Sequence, residues 1–577
     1  MPATLAGTVL ERAEGNPLFV EETVRMLVES RPAGRAGERV PDTLQALIAA
    51  RLDQLPPAAK ALLQRAAVIG RVFWRGALEH LAPDLEDTSG LLDDLLQREL
   101  LLREARSSIS GDVAYRFKHV LIREVAYGSL AKLARARYHR RFAEWLAERT
   151  GEELIEIRAH HLGQAVDLLT ELEGAPPEEL AEEAATALVK AAKRALARES
   201  YANARALGLR AVELRPTLGA RYAAARAAWR MQDWAAVEVE MEKVREQAGV
   251  QGETVLEALA LTALGEVALR RHGDPAAARS LEDRALEILR GEQDSGALFE
   301  ALVARATVAA WVSELDEVVG FLEQAYQLAL GAGRPDLQTT AAQALAQIHL
   351  VRLELDEAER LSVQALGLAG ESKSLRARTG ATLTYASLLA ARGELDEAET
   401  LLEEVRTSAA ELGVEPAVAA ALGKLAWIAR RRGERRQAEK LLREALRILT
   451  ARGDRGPQPE LRAALAETLA DLGKIDEAER LALEAAAGAG AEDVSARVAA
   501  AAALGAVRAA QGREEEAEEH LASADSLARE SGFRLLELEP AERLARLLRE
   551  RGRDEEAARY EARVAELSLP SSTARIA

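Results

Sequence analysis

The sequence predicts an all-α protein: a superhelix of stacked helical hairpins, preceded by a small domain in which helices flank a short ribbon. Three observations predict it. Ala, Leu, Glu and Arg dominate the composition while aromatics make up only 4%, so the backbone preference is helical nearly throughout. Gly and Pro fall mainly between the periodic segments and punctuate them. Finally, one pattern of turn and helix returns at a fixed interval.

That interval is read from the small residues. Ala398, Ala438 and Ala478 step by 40, and each stands five residues beyond a glycine, Gly393, Gly433 and Gly473. Gly273, Gly512 and Gly552 stand in the same relation to Ala278, Ala517 and Ala557, with one step shortened to 39. Val318 and Ala358 keep the register where Ser313 and Leu353 replace the glycine. Three residues beyond the small position come Leu281, Phe321, Leu361, Leu401, Leu441, Leu481, His520 and Tyr560. Four beyond those come Ala285, Ala325, Ala365, Val405, Ala445, Ala485, Ala524 and Val564. Offsets of three and four lie on one face of a helix, and small residues there let the preceding helix approach closely. A lone hairpin cannot bury such a face; a stack can.

The small residue after a turn and the openings Asp356-Glu357-Ala358, Asp396-Glu397-Ala398 and Asp476-Glu477-Ala478 resemble the tetratricopeptide family. The resemblance implies a right-handed superhelix, with helices or loops longer than the family's usual unit allows. Met231 to Val237 sits one unit upstream with a slip of one residue, and Tyr201 to Leu207 resembles a further, degenerate unit.

Before residue 170 the beat is absent. Val20, Val24, Leu27 and Val28 follow the helical period, a polar stretch spans Arg31 to Arg39, and Asp42 or Thr43 caps a helix through Leu55. Helices follow over Ala58–Ile69 and Ser89–Leu100. The alternating run Val113–Phe117 then delivers His119 to a helix over Val120–Tyr127, an order that suggests a winged-helix arrangement. The expected domains are a helical lid-like segment (1–55), a winged-helix-like domain (56–160), linker helices with degenerate repeats (161–250), 40-residue repeats (251–567) and a tail (568–577).

The segments Gly15-Asn16-Pro17-Leu18-Phe19-Val20-Glu21-Glu22, Val40 to Leu44 and Tyr115 to Tyr127 resemble the part that follows the nucleotide-binding core in signal-transduction ATPases with numerous domains. These couple an AAA-like ATPase, a helical lid and a winged helix to a repeat sensor. By that resemblance Pro17 corresponds to the proline that packs near the nucleotide base, and His119 to the histidine that approaches the β-phosphate in the inactive state. Val120 departs from the Asp that follows this histidine in the immune-receptor version. An ATPase core upstream is implied as a partner, since no Gly-x-x-x-x-Gly-Lys-Ser/Thr loop occurs in the sequence.

Other function classes find little support. No apolar run suits a membrane span and no leader pattern opens the chain, so a cytoplasmic protein is expected. With no cysteine and only 8 histidines, thiolate chemistry is excluded and no metal-ligand spacing is evident; no cofactor is expected. His160-His161, the only adjacent His pair, and His520, at an otherwise apolar register, read as packing or surface residues. A net charge of −18 disfavours nucleic acid, although Lys132 to Arg141 forms a basic window through which a winged helix could bind DNA. No catalytic residues are assigned. The sequence instead suggests a non-catalytic sensor that binds a protein, peptide or small effector in its superhelical groove, or alternatively a stand-alone scaffold. Groove contacts are expected from the helices that precede the turns, with Trp229, Trp311, Tyr385 and Trp427 as anchors, although each also reads as packing between Ala-rich helices.

Overall fold

The computed structural model describes residues 17–30 and 43–568. Gly15, Asn16, Pro41, Asp42, the polar stretch Arg31–Arg39 and tail residues 569–577 lie outside them. Helices dominate, and the chain divides into two units: Met1–Ala191 with Glu213–Arg215, and Ala192–Val212 with Pro216–Ala577.

The first unit begins with α1 (Pro17–Ser30), α2 (Leu44–Asp53) and α3 (Pro57–Ile69). Thr43 caps α2, its side chain accepting from the Ala46 N–H at 3.2 Å, and Pro57 opens α3, where its missing N–H costs no hydrogen bond. Then come β1 (Val72–Trp74), α4 (Arg75–Leu81), α5 (Thr88–Gln97), β2 (Leu101–Arg103), β3 (Ala114–Phe117), α6 (Val120–Gly128), α7 (Lys132–Thr150) and α8 (Ile155–Glu173). The sequence announced only the third strand. β1 and β2 are three residues long, too short to show alternation, yet both pair antiparallel with β3 in the order β1-β3-β2. Pairing sets Phe73 opposite Tyr115 with rings 5.8 Å apart, and Phe117 lies 5.6 Å from Phe73. Trp74, Phe142 and Trp145 extend this aromatic core. The chain passes to the second unit within α9 (Glu178–Ala197) and α10 (Tyr201–Leu214).

The second unit is a tetratricopeptide-like superhelix of hairpins. It comprises α11 (Leu218–Arg230), α12 (Trp234–Gln251), α13 (Thr254–Val267), a π-helical turn (Ala268–His272), α14 (Pro275–Leu289), α15 (Ser295–Trp311), α16 (Leu315–Gly331), α17 (Pro335–Val351) and α18 (Leu355–Ser372). It continues through α19 (Leu375–Arg392), α20 (Leu395–Glu411), α21 (Glu415–Arg431), α22 (Arg435–Arg452), α23 (Gln458–Asp471), α24 (Ile475–Gly488), α25 (Val494–Ala510), α26 (Glu514–Ser531), a 3₁₀ turn (Arg534–Glu537), α27 (Leu538–Glu550) and α28 (Asp554–Ser568). From α15 to α22 the helices are 17 or 18 residues long, which accounts for the 40-residue unit.

Apart from the α13–α14 hairpin, where the Gly273 N–H bonds Leu269 and the Asp274 N–H bonds Ala268, the hairpins turn in the same way. At Gly393 the chain enters the left-handed region (φ 86°), its N–H bonds the Ala390 carbonyl, and the Glu394 N–H reaches back to Leu389. Ser313 (φ 64°) and Leu353 (φ 59°) adopt this conformation despite their side chains. The one-residue slip upstream also has a structural reason. Gln232 takes the turn position (φ 54°), one residue further from Gly273 than the repeat allows, and the π-helical turn Ala268–His272 absorbs the extra residue.

The small register positions Ala278, Val318, Ala358, Ala398, Ala438, Ala478, Ala517 and Ala557 are all buried. At the next register Leu361 and Leu481 are buried as expected, whereas Leu281, Phe321, Leu401 and Leu441 are half-buried and the following residues Glu282, Leu322, Leu402 and Leu442 are enclosed, so the seam takes in both the third and the fourth residue beyond the small position. The superhelix also winds back onto itself. Glu199 accepts from the Ser374 hydroxyl (2.5 Å) and the Arg376 N–H (3.0 Å), 175 residues or more away. Trp234 donates to Asp454 (3.3 Å), and the N–H groups of Arg455 and Gly456 reach the Arg270 carbonyl.

Candidate functional site

A cavity of about 690 Å³ lies in the second unit among helices that precede the hairpin turns. Its walls follow from helical spacing. On α21, Lys424, Trp427 and Arg431 share one face at steps of three and four; on α23, Glu460, Ala464, Glu467 and Asp471 do the same. α17 and α19 contribute Gln347, Leu350, Ser387 and Ala391, α25 adds Ser495, Val498 and Ala499, and Leu535 to Arg546 close the space from the last hairpin. Small residues make the approach close: a Cβ on Gly423 would stand 3.0 Å from the Leu461 side chain.

Charges on these walls fall into two classes. One is a closed network. Arg430 bridges Glu467 and Glu539, Arg543 meets the same two carboxylates at 3.2 and 3.5 Å, and Arg431 pairs with Glu542 at 2.8 Å. Burial and the neighbouring Glu539 push the Glu467 carboxyl up, while Arg430 and Arg543 hold Glu539 down against its own burial. Burial disfavours the Arg430 charge too, but the two carboxylates outweigh it and raise its pKa.

The second class is unpaired. Among the described residues, Lys424, Glu460 and Arg546 make no hydrogen bond or ion pair, although all three line the cavity. Burial lowers the Lys424 ammonium, opposed only by Glu460. Burial and nearby Asp493 push Glu460 up to about 7, against the pull of Arg270 and Lys424. The two groups feel one another without touching, and both are exposed only in part.

Of the four expected anchors, Trp427 alone lines this cavity, with the Arg431 guanidinium 5.6 Å from its ring. Trp311 borders a smaller cavity of about 270 Å³ with Phe533 and Ile348. Tyr385 is half-buried against Leu388 and Leu389. Trp229 is enclosed: its N–H donates to Glu266 at 2.6 Å and Arg226 stacks 4.4 Å from its ring, beside the buried Arg226–Glu300–Arg230 group. Sequence reasoning missed Lys424 and Glu460, because a lone Lys and Glu on helices rich in both carry no distinguishing spacing.

In the first unit Pro17 is exposed at the start of α1, and His119 stands at the N-cap of α6 with a buried Nε2 that has no hydrogen-bond partner. His161 does not act with His160 alone: its Nδ1 lies 2.7 Å from Nδ1 of His139, whose Nε2 meets the Tyr127 hydroxyl at 2.9 Å. Burial holds His139 down to about 3 and His161 well below its ordinary range, so both rings are neutral. They border a cavity of about 530 Å³ with Arg71, Arg123 and Gln164. The basic window is occupied internally: Lys132 pairs with Glu171, Arg135 donates to the Gly128 and Leu130 carbonyls, Arg140 pairs with Glu144, and Arg141 donates to the His80 carbonyl. No helix among the described residues is long and apolar enough to cross a membrane.

Residues 364–575 match the sequence profile of the MalT-like TPR region. No curated protein sequence matches the chain. Among solved structures, a Rap protein complexed with competence and sporulation factor is 13% identical, covers 61% of this chain and 97% of its own, and has a TM-score of 0.43. A STAND protein with a tetratricopeptide repeat sensor from Pyrococcus horikoshii is 12% identical, covering 96% and 71%, also with a TM-score of 0.43. NprR in complex with its cognate peptide NprX is 17% identical, covering 59% and 98%, with a TM-score of 0.41.

Proposed function

We propose that this chain is the non-catalytic sensor region of a cytoplasmic signal-transduction ATPase, binding a protein, peptide or small effector through its repeat superhelix. The observation that carries the reading is the cavity itself. Successive hairpins offer their first helices to one space, and that space holds ionisable groups left without partners. A pure scaffold gains nothing from Lys424 and Glu460 left unpaired in a half-buried wall, which costs stability. The match of residues 364–575 to the MalT-like TPR region supports a tetratricopeptide-type binding array.

The first unit supports the rest. Its order of helix, strand, two helices and two strands supports a winged-helix reading, in keeping with the resemblance carried by Tyr115 to Tyr127. Pro17 and His119 would then face a nucleotide held by an upstream ATPase core, and the orphaned Nε2 of His119 suits an incoming polar partner. DNA binding finds less support, since the cations from Lys132 to Arg141 are largely engaged within the unit.

The test is thermal melting of the full chain against fractionated peptides and metabolites of its own cell. A fraction that raises Tm should lose its effect on Ala499→Trp and Ser387→Trp, which fill the cavity. If selective shifts persist equally in both variants, the effector sits elsewhere and the reading falls.

A further inference from the structure

The walls of the main cavity carry an uneven residue of charge. Arg430, Arg431, Arg435 and Arg543 are matched by Glu467, Glu539, Glu542 and Asp471 through the network described and an Arg435–Asp471 approach of 3.7 Å. What remains is the half-buried Lys424 and the exposed Arg546 against the half-buried Glu460. The unmatched set is therefore cationic by one charge, and by two once Glu460 holds a proton. Lys424 sits beside Gly423, where an added Cβ would meet the Leu461 side chain of α23, with Trp427 one turn on and Leu350, Val498 and Leu535 among the apolar walls. At about 690 Å³ the cavity has the size of a small-molecule site.

We propose that this cavity binds a small organic anion with an apolar body, a carboxylate or a phosphate monoester, with Lys424 as its counter-ion. The assignment rests on the effector reading of the same cavity and narrows its ligand to one chemistry. An ammonium held in a low-dielectric wall without a partner is costly, and an anion removes that cost by restoring the pair. Uptake is linked to protons. The groups facing Glu460 are Lys424, Asp493 and Arg270, and Glu460 alone faces Lys424. An incoming negative charge raises the proton affinity of both Lys424 and Glu460. Because Glu460 already titrates at about 7, anion affinity rises as pH falls through neutrality.

The test is calorimetric titration of the full chain with octanoate, octyl phosphate and octylammonium at pH 6 and 8. Octanoate reports the linkage, because its own carboxyl does not titrate in that range. Either anion should bind at least tenfold more tightly than octylammonium, and whichever binds better identifies the headgroup. Octanoate affinity should rise severalfold from pH 8 to pH 6 with net proton uptake. Lys424→Met, or Lys424→Gln should the first variant fold poorly, should lose at least tenfold in affinity. Glu460→Gln should keep binding and lose most of its pH dependence, with the remainder set by Glu467, whose carboxyl burial also pushes up to about 7. Equal binding of octylammonium, full octanoate affinity in both Lys424 variants, or no binding of either anion at millimolar concentration overturns the anion assignment. None of these results decides the effector reading, which stands or falls with the cavity-filled variants above.

Discussion

The two units solve the packing problem with opposite materials. In the first, Phe73, Phe117, Trp74, Phe142 and Trp145 interlock around a three-stranded sheet, so one core joins the elements from α2 to α8. In the second, the buried register is Ala398, Ala438, Ala478 and their equivalents, and each hairpin buries its face on neighbouring hairpins. The first kind of core fails as a whole; the second fails in pieces.

The sharpest way to break that comparison is to delete one large side chain from each. Phe117→Ala should cost about 3–5 kcal/mol, and hydrogen exchange should accelerate throughout the first unit. Leu442→Ala, also in a fully buried position, should cost about 2–5 kcal/mol but speed exchange mainly in α21 to α24. Equal spread of the effect in both variants would show that the array folds as one cooperative block.

A smaller difference concerns pH. His139 is held down to about 3 in the fold, so its contribution is fully present above pH 6.5 and is lost as pH falls toward 3. Between pH 6.5 and 5 this removes about 2 kcal/mol from the first unit, and His139→Gln should flatten the loss. Glu282 behaves in the opposite sense. Burial raises its carboxyl well above 4.5, so its contribution is present below that pH and fades as pH rises. Glu282→Gln should therefore stabilise the array at pH 8, by about 1 kcal/mol or more, and have little effect at pH 4. Exchange measured across pH 4–8 separates the two units, and a common pH trend in both would contradict these assignments.

What the residues announced and what they concealed follow the same division. The array was legible because the small residue recurs at each second helix; even the slip upstream of Gly273 was visible, although its cause, a π-helical turn, was not. The seam shifts by one residue in repeats such as Leu441–Leu442 but not at Leu361 or Leu481, because neighbouring leucines are equally apolar in sequence and only packing decides which faces inward. β1 and β2 escaped because three residues cannot display a period. At the site, the helices preceding the turns line the cavity, and of the four aromatics that the sequence offers as anchors Trp427 borders it. Lys424 and Glu460 were not legible, because an unpaired ion differs from a solvated one only in its surroundings. His139 was likewise hidden, 22 residues from His161.

The smallest effect tests what sets the hairpin geometry. At Gly393 and Gly433 the left-handed turn costs no side-chain strain, whereas Leu353 holds φ 59° with a full side chain. The backbone bonds are nonetheless the same: Glu354 N–H to the His349 carbonyl matches Glu434 N–H to Ala429, at 2.9 and 2.8 Å. The pattern of hydrogen bonds and the burial of Ala358 thus impose the turn, and glycine only relieves its strain. Leu353→Gly should accordingly raise stability by about 1 kcal/mol, less the entropy glycine adds to the unfolded chain. Gly433→Leu should cost a similar amount, with exchange changing mainly in the hairpin concerned. Should Leu353→Gly destabilise instead, the leucine side chain contributes packing that outweighs its strained backbone, and the turns with and without glycine are not equivalent.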